Sequence, residues 1–149
     1  IQRAARFYIL IKHSFGSNMV AFSISKTFNT SQWIKLFSEF SERLEKVIIE
    51  NKDYKDIITL YDKPDTLFYL DPPYYGSERM YDERFTNMDH EELCEMLLNI
   101  KGKFILSYND DPYIRNLYKD FNIREVERQN NLSCKTDNKI YKELIIKNF

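Results

Sequence analysis

Glycine is nearly absent from this chain. Its 149 residues include three, Gly16, Gly76 and Gly102, where average proteins carry roughly 7%. They stand apart from one another, so no phosphate cradle of the GxGxxG or P-loop kind is encoded. A nucleotide cofactor would have to be held without such a loop, or by a loop elsewhere. Cysteine is scarcer still. Cys94 and Cys134 sit in no CxxC and have no His at ligand spacing, which argues against a zinc site, any other metal centre of that kind and a disulfide framework. Two free thiols suit a reducing cytosol, the compartment expected here. No apolar run is long enough to span a bilayer, and no signal-peptide pattern opens the chain. Ile1-Gln2-Arg3-Ala4-Ala5 reads as the interior of a helix, so a cut edge is expected at the N-terminus.

What is present suits a folded domain. Hydrophobic residues make up 43% and charged residues 30%, enough to bury a core and too apolar for wholesale disorder. Aromatics reach 15%, a large supply for packing or for stacking on a flat ligand. Net charge is only −1, so the chain as a whole favours neither nucleic acid nor membrane. Its distribution is uneven, however. No Asp or Glu occurs from Ile1 to Ser38, while Arg3, Arg6, Lys12, Lys26 and Lys35 are all basic. Such a front end is either a solubilising bias or a surface that faces phosphates.

Residue patterning predicts helices over residues 3–12, from Thr30 or Ser31 to about Lys46, over Tyr54–Tyr61, and after Thr86 and Asp111. Trp33, Phe37, Phe40 and Leu44 form the apolar stripe of the second. Thr86-x-x-Asp89 has the form of a capping box, and Gly102 is read as the C-terminal cap of the helix it opens. Asp111-Pro112 is a cap followed by proline in the first turn. Strands are expected at Val47–Ile49, Thr66–Leu70, Lys103–Ser107, Ile123–Glu127 and Glu143–Lys147, the first three of them buried. This alternation means an α/β layer with a largely parallel sheet flanked by helices.

One tetrapeptide carries chemistry. Asp71-Pro72-Pro73-Tyr74 follows directly on the apolar run Thr66–Leu70, at the carboxyl end of a strand where open parallel sheets bind ligands. Two consecutive prolines fix φ and remove two N–H donors, while their carbonyls remain able to accept. The product is a stiff edge bearing a carboxylate, an outward carbonyl and an aromatic face. An amino group offers two donors that a carboxylate and a carbonyl accept together, and the ring bearing it can stack on Tyr74. An exocyclic amine of adenine or cytosine fits that description. Such an amine is a poor nucleophile because its lone pair is delocalised. Hydrogen bonds to Asp71 and to the Pro72 carbonyl favour a pyramidal nitrogen that can attack an electrophilic methyl, by positioning and preorganised electrostatics. The plainer reading is a tight strand exit, where Asp and Pro are common.

The sequence resembles the DNA adenine methyltransferases of the Dam type. RAARFYILIKHSFGS, VIIENKDYKDII, DTLFYLDPPYYGSERMY, FTNMDHEEL, KGKFILSYND and the closing YKELIIKNF carry the likeness over nearly the whole chain. The resemblance implies a partial Rossmann-like methyltransferase sheet, S-adenosylmethionine as methyl donor, double-stranded DNA as partner and a base flipped out of the duplex. Residues 1–30 would end a target-recognition region, and residues 31–149 would form the C-terminal part of the catalytic domain. Asp71 and Pro72 would hold the amine and Tyr74 would stack on the base, with Pro73 as part of the same catalytic tetrapeptide. Asp53, with Tyr54 beside it, matches an acidic position that contacts the cofactor, as Asp71 does; a plain turn is the alternative for the pair. The loop His13–Lys26 matches a target-reading hairpin, which makes Lys12, Ser14, Phe15 and Asn18 the candidate DNA contacts. His13 and His90 read as surface or helix-start residues. The family's FxGxG-like cofactor loop and the first two strands have no counterpart, so a missing N-terminal half is an expected partner. An amino-cytosine methyltransferase and a non-catalytic DNA-binding remnant are the alternatives; Asp at position 71 instead of Ser favours adenine.

Overall fold

A computed structural model describes residues 1–14, 19, 21–22, 30–77, 85–129 and 140–149. They fall into two compact units, Ile1–Asn51 and Lys52–Phe149. The first unit contains helices α1 (Gln2–His13) and α2 (Thr30–Leu44). Tyr8 of α1 meets Trp33 edge-on at 5.0 Å and Phe37 at 5.2 Å between ring centroids. The predicted stripe of α2 is therefore real, yet Phe37, Phe40 and Leu44 each remain more than 40% exposed. Val47–Ile49 forms no strand, and these residues are 51%, 75% and 78% exposed. Three extended residues gain nothing without a neighbouring strand to satisfy their N–H and C=O groups, and none pairs with them among the described residues.

The second unit runs α3 (Tyr54–Tyr61), β1 (Leu67–Leu70), α4 (Asn87–Leu98), β2 (Lys103–Asn109), α5 (Pro112–Leu117), β3 (Asn122–Gln129) and β4 (Ile140–Lys147). Its sheet is mixed, with the order β1-β2-β4-β3. Only β1 and β2 are parallel; β4 lies antiparallel to both of its neighbours. The expectation of a largely parallel sheet fails at the last two strands. A parallel return needs a crossover of a dozen or more residues, and the connection over residues 130–139 is shorter than that.

Alternation explains the core. Phe104, Leu106 and Tyr108 of β2 and Leu144 and Ile146 of β4 are all 0% exposed, one face of two adjacent strands in register. Leu93, Cys94 and Leu97 of α4 and Ile114 of α5 belong to the same buried cluster. β1 is an edge strand: Phe68 points into the core at 8% exposure, while Leu67 and Tyr69 are 58% and 67% exposed. The predicted buried strand is buried on one face only.

Capping follows the sequence closely at α4. Thr86 Oγ1 accepts from Asp89 N, and the Asp89 side chain accepts from Thr86 N at 2.7 Å. The Thr86 hydroxyl, which donates to Asp89 Oδ2 at 2.6 Å, and the Thr86 N–H together hold the Asp89 carboxyl below its ordinary value of 3.8. A depressed carboxyl stabilises the fold above the unfolded-state value, and that stability is lost as the pH falls through the folded-state value. Asp89→Asn should therefore cost about 0.5–1 kcal/mol at neutral pH. Urea unfolding of both proteins at pH 7 and pH 3 is the check: the gap between them should close at the lower pH.

Gly102 is not a helix cap. α4 ends at Leu98 with Asn99 as its C-cap, and Gly102 precedes β2, where a Cβ would lie 2.8 Å from the Thr66 carbonyl and 2.9 Å from that of Lys63. Asp62 takes up the neighbouring backbone, its carboxylate accepting from Lys101 N and Gly102 N at 2.9 Å each.

Candidate active site

β1 ends at Leu70, and the chain leaves the sheet through Asp71-Pro72-Pro73-Tyr74. Asp71 is exposed, while Pro72, Pro73 and Tyr74 are half-buried. No cis peptide bond occurs among the described residues, so the diproline loop is rigid through its fixed φ alone. The turn is closed by Ser77, whose backbone N–H and hydroxyl both donate to the Tyr74 carbonyl, at 2.9 and 2.7 Å. Gly76 supports that turn with φ of 81°, a conformation glycine adopts without steric cost.

The parallel register pairs Leu70 with Leu106, which carries the ends of β1 and β2 out of the sheet together. Ser107 Oγ donates to Asp71 Oδ1 at 2.9 Å. Asn109 Nδ2 donates to the Tyr75 carbonyl at 3.0 Å, and Asn109 Oδ1 is buried with no partner among the described residues.

Aromatic rings line the same end of the sheet. Tyr74 lies 6.3 Å from Tyr108, and Tyr75 stacks on Tyr113 at 4.6 Å. His90 meets Tyr75, Phe85 and Tyr108, and its Nδ1 is 2.7 Å from the Tyr108 hydroxyl. His90 lies in the first turn of α4, the helix-start alternative of its reading, and is 0% exposed, so the surface alternative does not hold. A helix-start position is buried here because Phe85 and Tyr75 close over it. Burial pushes the Tyr74 phenol above its usual 10.0, Glu143 adds to the rise, and a hydrogen bond with Ser107 opposes it.

A family model described as D12 class N6 adenine-specific DNA methyltransferase matches residues 7–132. The chain belongs to that family. No curated protein matches the chain. Of the two amines that the Asp-Pro-Pro-Tyr edge could hold, the family description names adenine N6.

The remaining candidates are placed unevenly within this D12 methyltransferase chain. Asp53 is the N-cap of α3, its Oδ1 accepting from Lys55 N at 2.9 Å. Tyr54 donates a long contact of 3.4 Å to the Asp89 carbonyl and packs on Phe85. Burial drives its phenol up to about 12. Ring contacts run from Tyr54 through Phe85, His90 and Tyr108 to Tyr74, which places the start of α3 at the same end of the sheet as the diproline loop. A cofactor could meet acid acceptors here, Asp53 and Asp71. The described residues include no glycine cradle beside them.

In the first unit, Lys12 Nζ lies over the rings of Tyr8 and Trp33 at 5.8 and 5.9 Å. Ser14 is 7% exposed and donates back to the Ile11 carbonyl at 2.9 Å, so its hydroxyl proton is spent on α1. Phe15 and Asn18 lie outside the described residues. Ser107, Asn109 and Tyr108 are site residues that sequence reasoning missed. Their signal was a hydroxyl and an amide closing the otherwise apolar run KFILSYN.

Among the described residues no helix is long and apolar enough to cross a membrane.

Proposed function

We propose that this chain carries the amine-holding part of a methyl transfer from S-adenosylmethionine to N6 of an adenine flipped out of DNA. The observation that carries the reading is the exposed Asp71 carboxylate on a diproline loop, fixed by Ser107 at 2.9 Å in a chain of the D12 family. S-adenosylmethionine supplies an electrophilic methyl on a sulfonium. The residues here do the rest. Asp71 and the Pro72 carbonyl accept the two amine hydrogens and stabilise the positive charge that grows on nitrogen. Tyr74 offers the base a face, returning part of the few kcal/mol that unstacking costs.

Asp53 and Tyr54 are proposed to face the adenosine part of the cofactor, with Asp71 at its methyl end. The glycine loop would come from another segment of the enzyme, which would also pair with the open edge of β1. The exposure of Leu67, Tyr69 and Val47–Ile49 supports that reading. Lys12, Ser14, Phe15 and Asn18 are proposed to meet DNA, from residues 1–30 ahead of a catalytic part over 31–149.

Incubation of the complete enzyme with methyl-labelled S-adenosylmethionine and duplex DNA tests the proposal. Label recovered as N6-methyladenine is the expected result. Label in N4-methylcytosine, or none together with no calorimetric binding of the donor, overturns it.

A further inference from the structure

We propose that Ser107 is the positioning residue of Asp71, holding one carboxylate oxygen so that the other is presented as the acceptor for the amine. This inference rests on the assignment of Asp71 as the amine's partner. Ser107 is 4% exposed between Leu106 and Tyr108, both at 0%. A hydroxyl so deeply buried in an apolar strand has to find a partner. The nearest acceptor is on the neighbouring strand end, and the hydroxyl also shares a hydrogen bond with the Tyr74 phenol. Its oxygen lies 2.9 Å from Asp71 Oδ1 and 3.4 Å from the Leu70 carbonyl, and only the first distance is that of an O–H···O hydrogen bond.

The placement follows from the fold. Parallel pairing continues through Leu70 and Leu106, so the next residue on each strand, Asp71 and Ser107, leaves the ladder side by side. Two residues further along β2, Asn109 Nδ2 donates to the Tyr75 carbonyl at 3.0 Å. Side chains two apart on a strand share a face. The loop is therefore fastened at Asp71 and at Tyr75 by the same edge of β2. Between these two points the prolines allow little motion. What remains free is rotation of the Asp71 side chain, and the Ser107 hydrogen bond restrains that rotation. A carboxylate free to turn would still attract the amine, but would align it less often.

Three variants of the complete enzyme decide the matter in a single-turnover and steady-state methylation assay. Ser107→Ala should lower kcat by about ten- to a hundredfold, the scale of one hydrogen bond to a charged group. KM for DNA and for the methyl donor should stay within about twofold, because Ser107 touches neither. Ser107→Thr keeps the hydroxyl and should recover most of the loss. Thermal melting of both variants accompanies the kinetics, and if Ser107→Ala does not fold, Ser107→Cys takes its place with a weaker donor and an intermediate loss. A wild-type kcat in the variant lacking the hydroxyl overturns the inference. So does a loss that appears in KM, or one that threonine does not repair. Asp71→Ala is the control that separates the two levels: if it is fully active, the assignment of Asp71 fails and the role of Ser107 with it. If Asp71→Ala is inactive while Ser107→Ala is unaffected, the positioning role alone falls.

Discussion

Asp71→Ala in the complete enzyme should lower single-turnover methyl transfer by roughly a thousandfold, the cost of removing a preorganised partner of developing charge. Its fold should hardly notice. Asp71 is exposed, and among the described residues its carboxylate accepts from Ser107 alone; exposed substitutions of this sort stay within about 1 kcal/mol. Asp71→Asn is the sharper companion. It keeps the shape and one oxygen acceptor but removes the negative charge. If charge is what favours the pyramidal amine, Asn should fall nearly as far as Ala, with DNA binding intact by fluorescence anisotropy. Activity retained in the alanine variant would mean that the diproline edge is a strand exit and nothing more.

Gly102→Val should be strongly damaging to the fold. A Cβ at this position would stand 2.8 Å from the Thr66 carbonyl and 2.9 Å from the Lys63 carbonyl, and neither is a flexible side chain that can swing away. The Thr66 carbonyl accepts from Lys103 N at 2.8 Å, the bond that starts the pairing of β1 with β2. Separating these segments should cost about 2–4 kcal/mol, at the upper end of overpacking, and lower the melting temperature by on the order of 10 °C. Gly76→Ala makes the contrast. Nothing lies within 4 Å of its Cβ position, and its φ is +81°, so the cost there is the conformational one of about 1 kcal/mol. Equal melting of the two variants would refute the steric account of Gly102.

These two glycines also show what the sequence could and could not tell. Local signals were readable: the Thr86–Asp89 box, Asp111-Pro112 and the helix Tyr54–Tyr61 are all where capping and periodicity put them. Each is decided by neighbours within four residues. Gly102 was misread because a glycine a few residues after a helix looks like its cap, whereas its real constraint is the Thr66 carbonyl, thirty-odd positions away in the chain. The sheet failed for the same kind of reason. Each of β3 and β4 was visible as an apolar or alternating run, but its direction depends on which strand it meets. Val47–Ile49 looked like a buried strand because composition reports β-propensity and not the presence of a partner.

In the candidate site, the Asp-Pro-Pro-Tyr edge was legible because its chemistry lies in consecutive residues. Ser107 and Asn109 were not, since their meaning comes only from the register Leu70↔Leu106. The burial of His90 was illegible in the same way: a histidine near a helix start, where it was expected, carries no mark that Phe85, Tyr75 and Tyr108 will enclose it.

The strand order has a consequence for how the protein is made. β4 is translated after β1, β2 and β3, yet it fills the middle of the sheet, paired with β2 on one side and β3 on the other. While the ribosome is still adding it, β2 has only β1 beside it, and the cores of Leu106 and Tyr108 lack Ile146 and Leu144 across from them. The nascent chain therefore keeps a gap one strand wide until β4 emerges. A chain released before β4 is made would leave β2 and β3 without the strand that joins them.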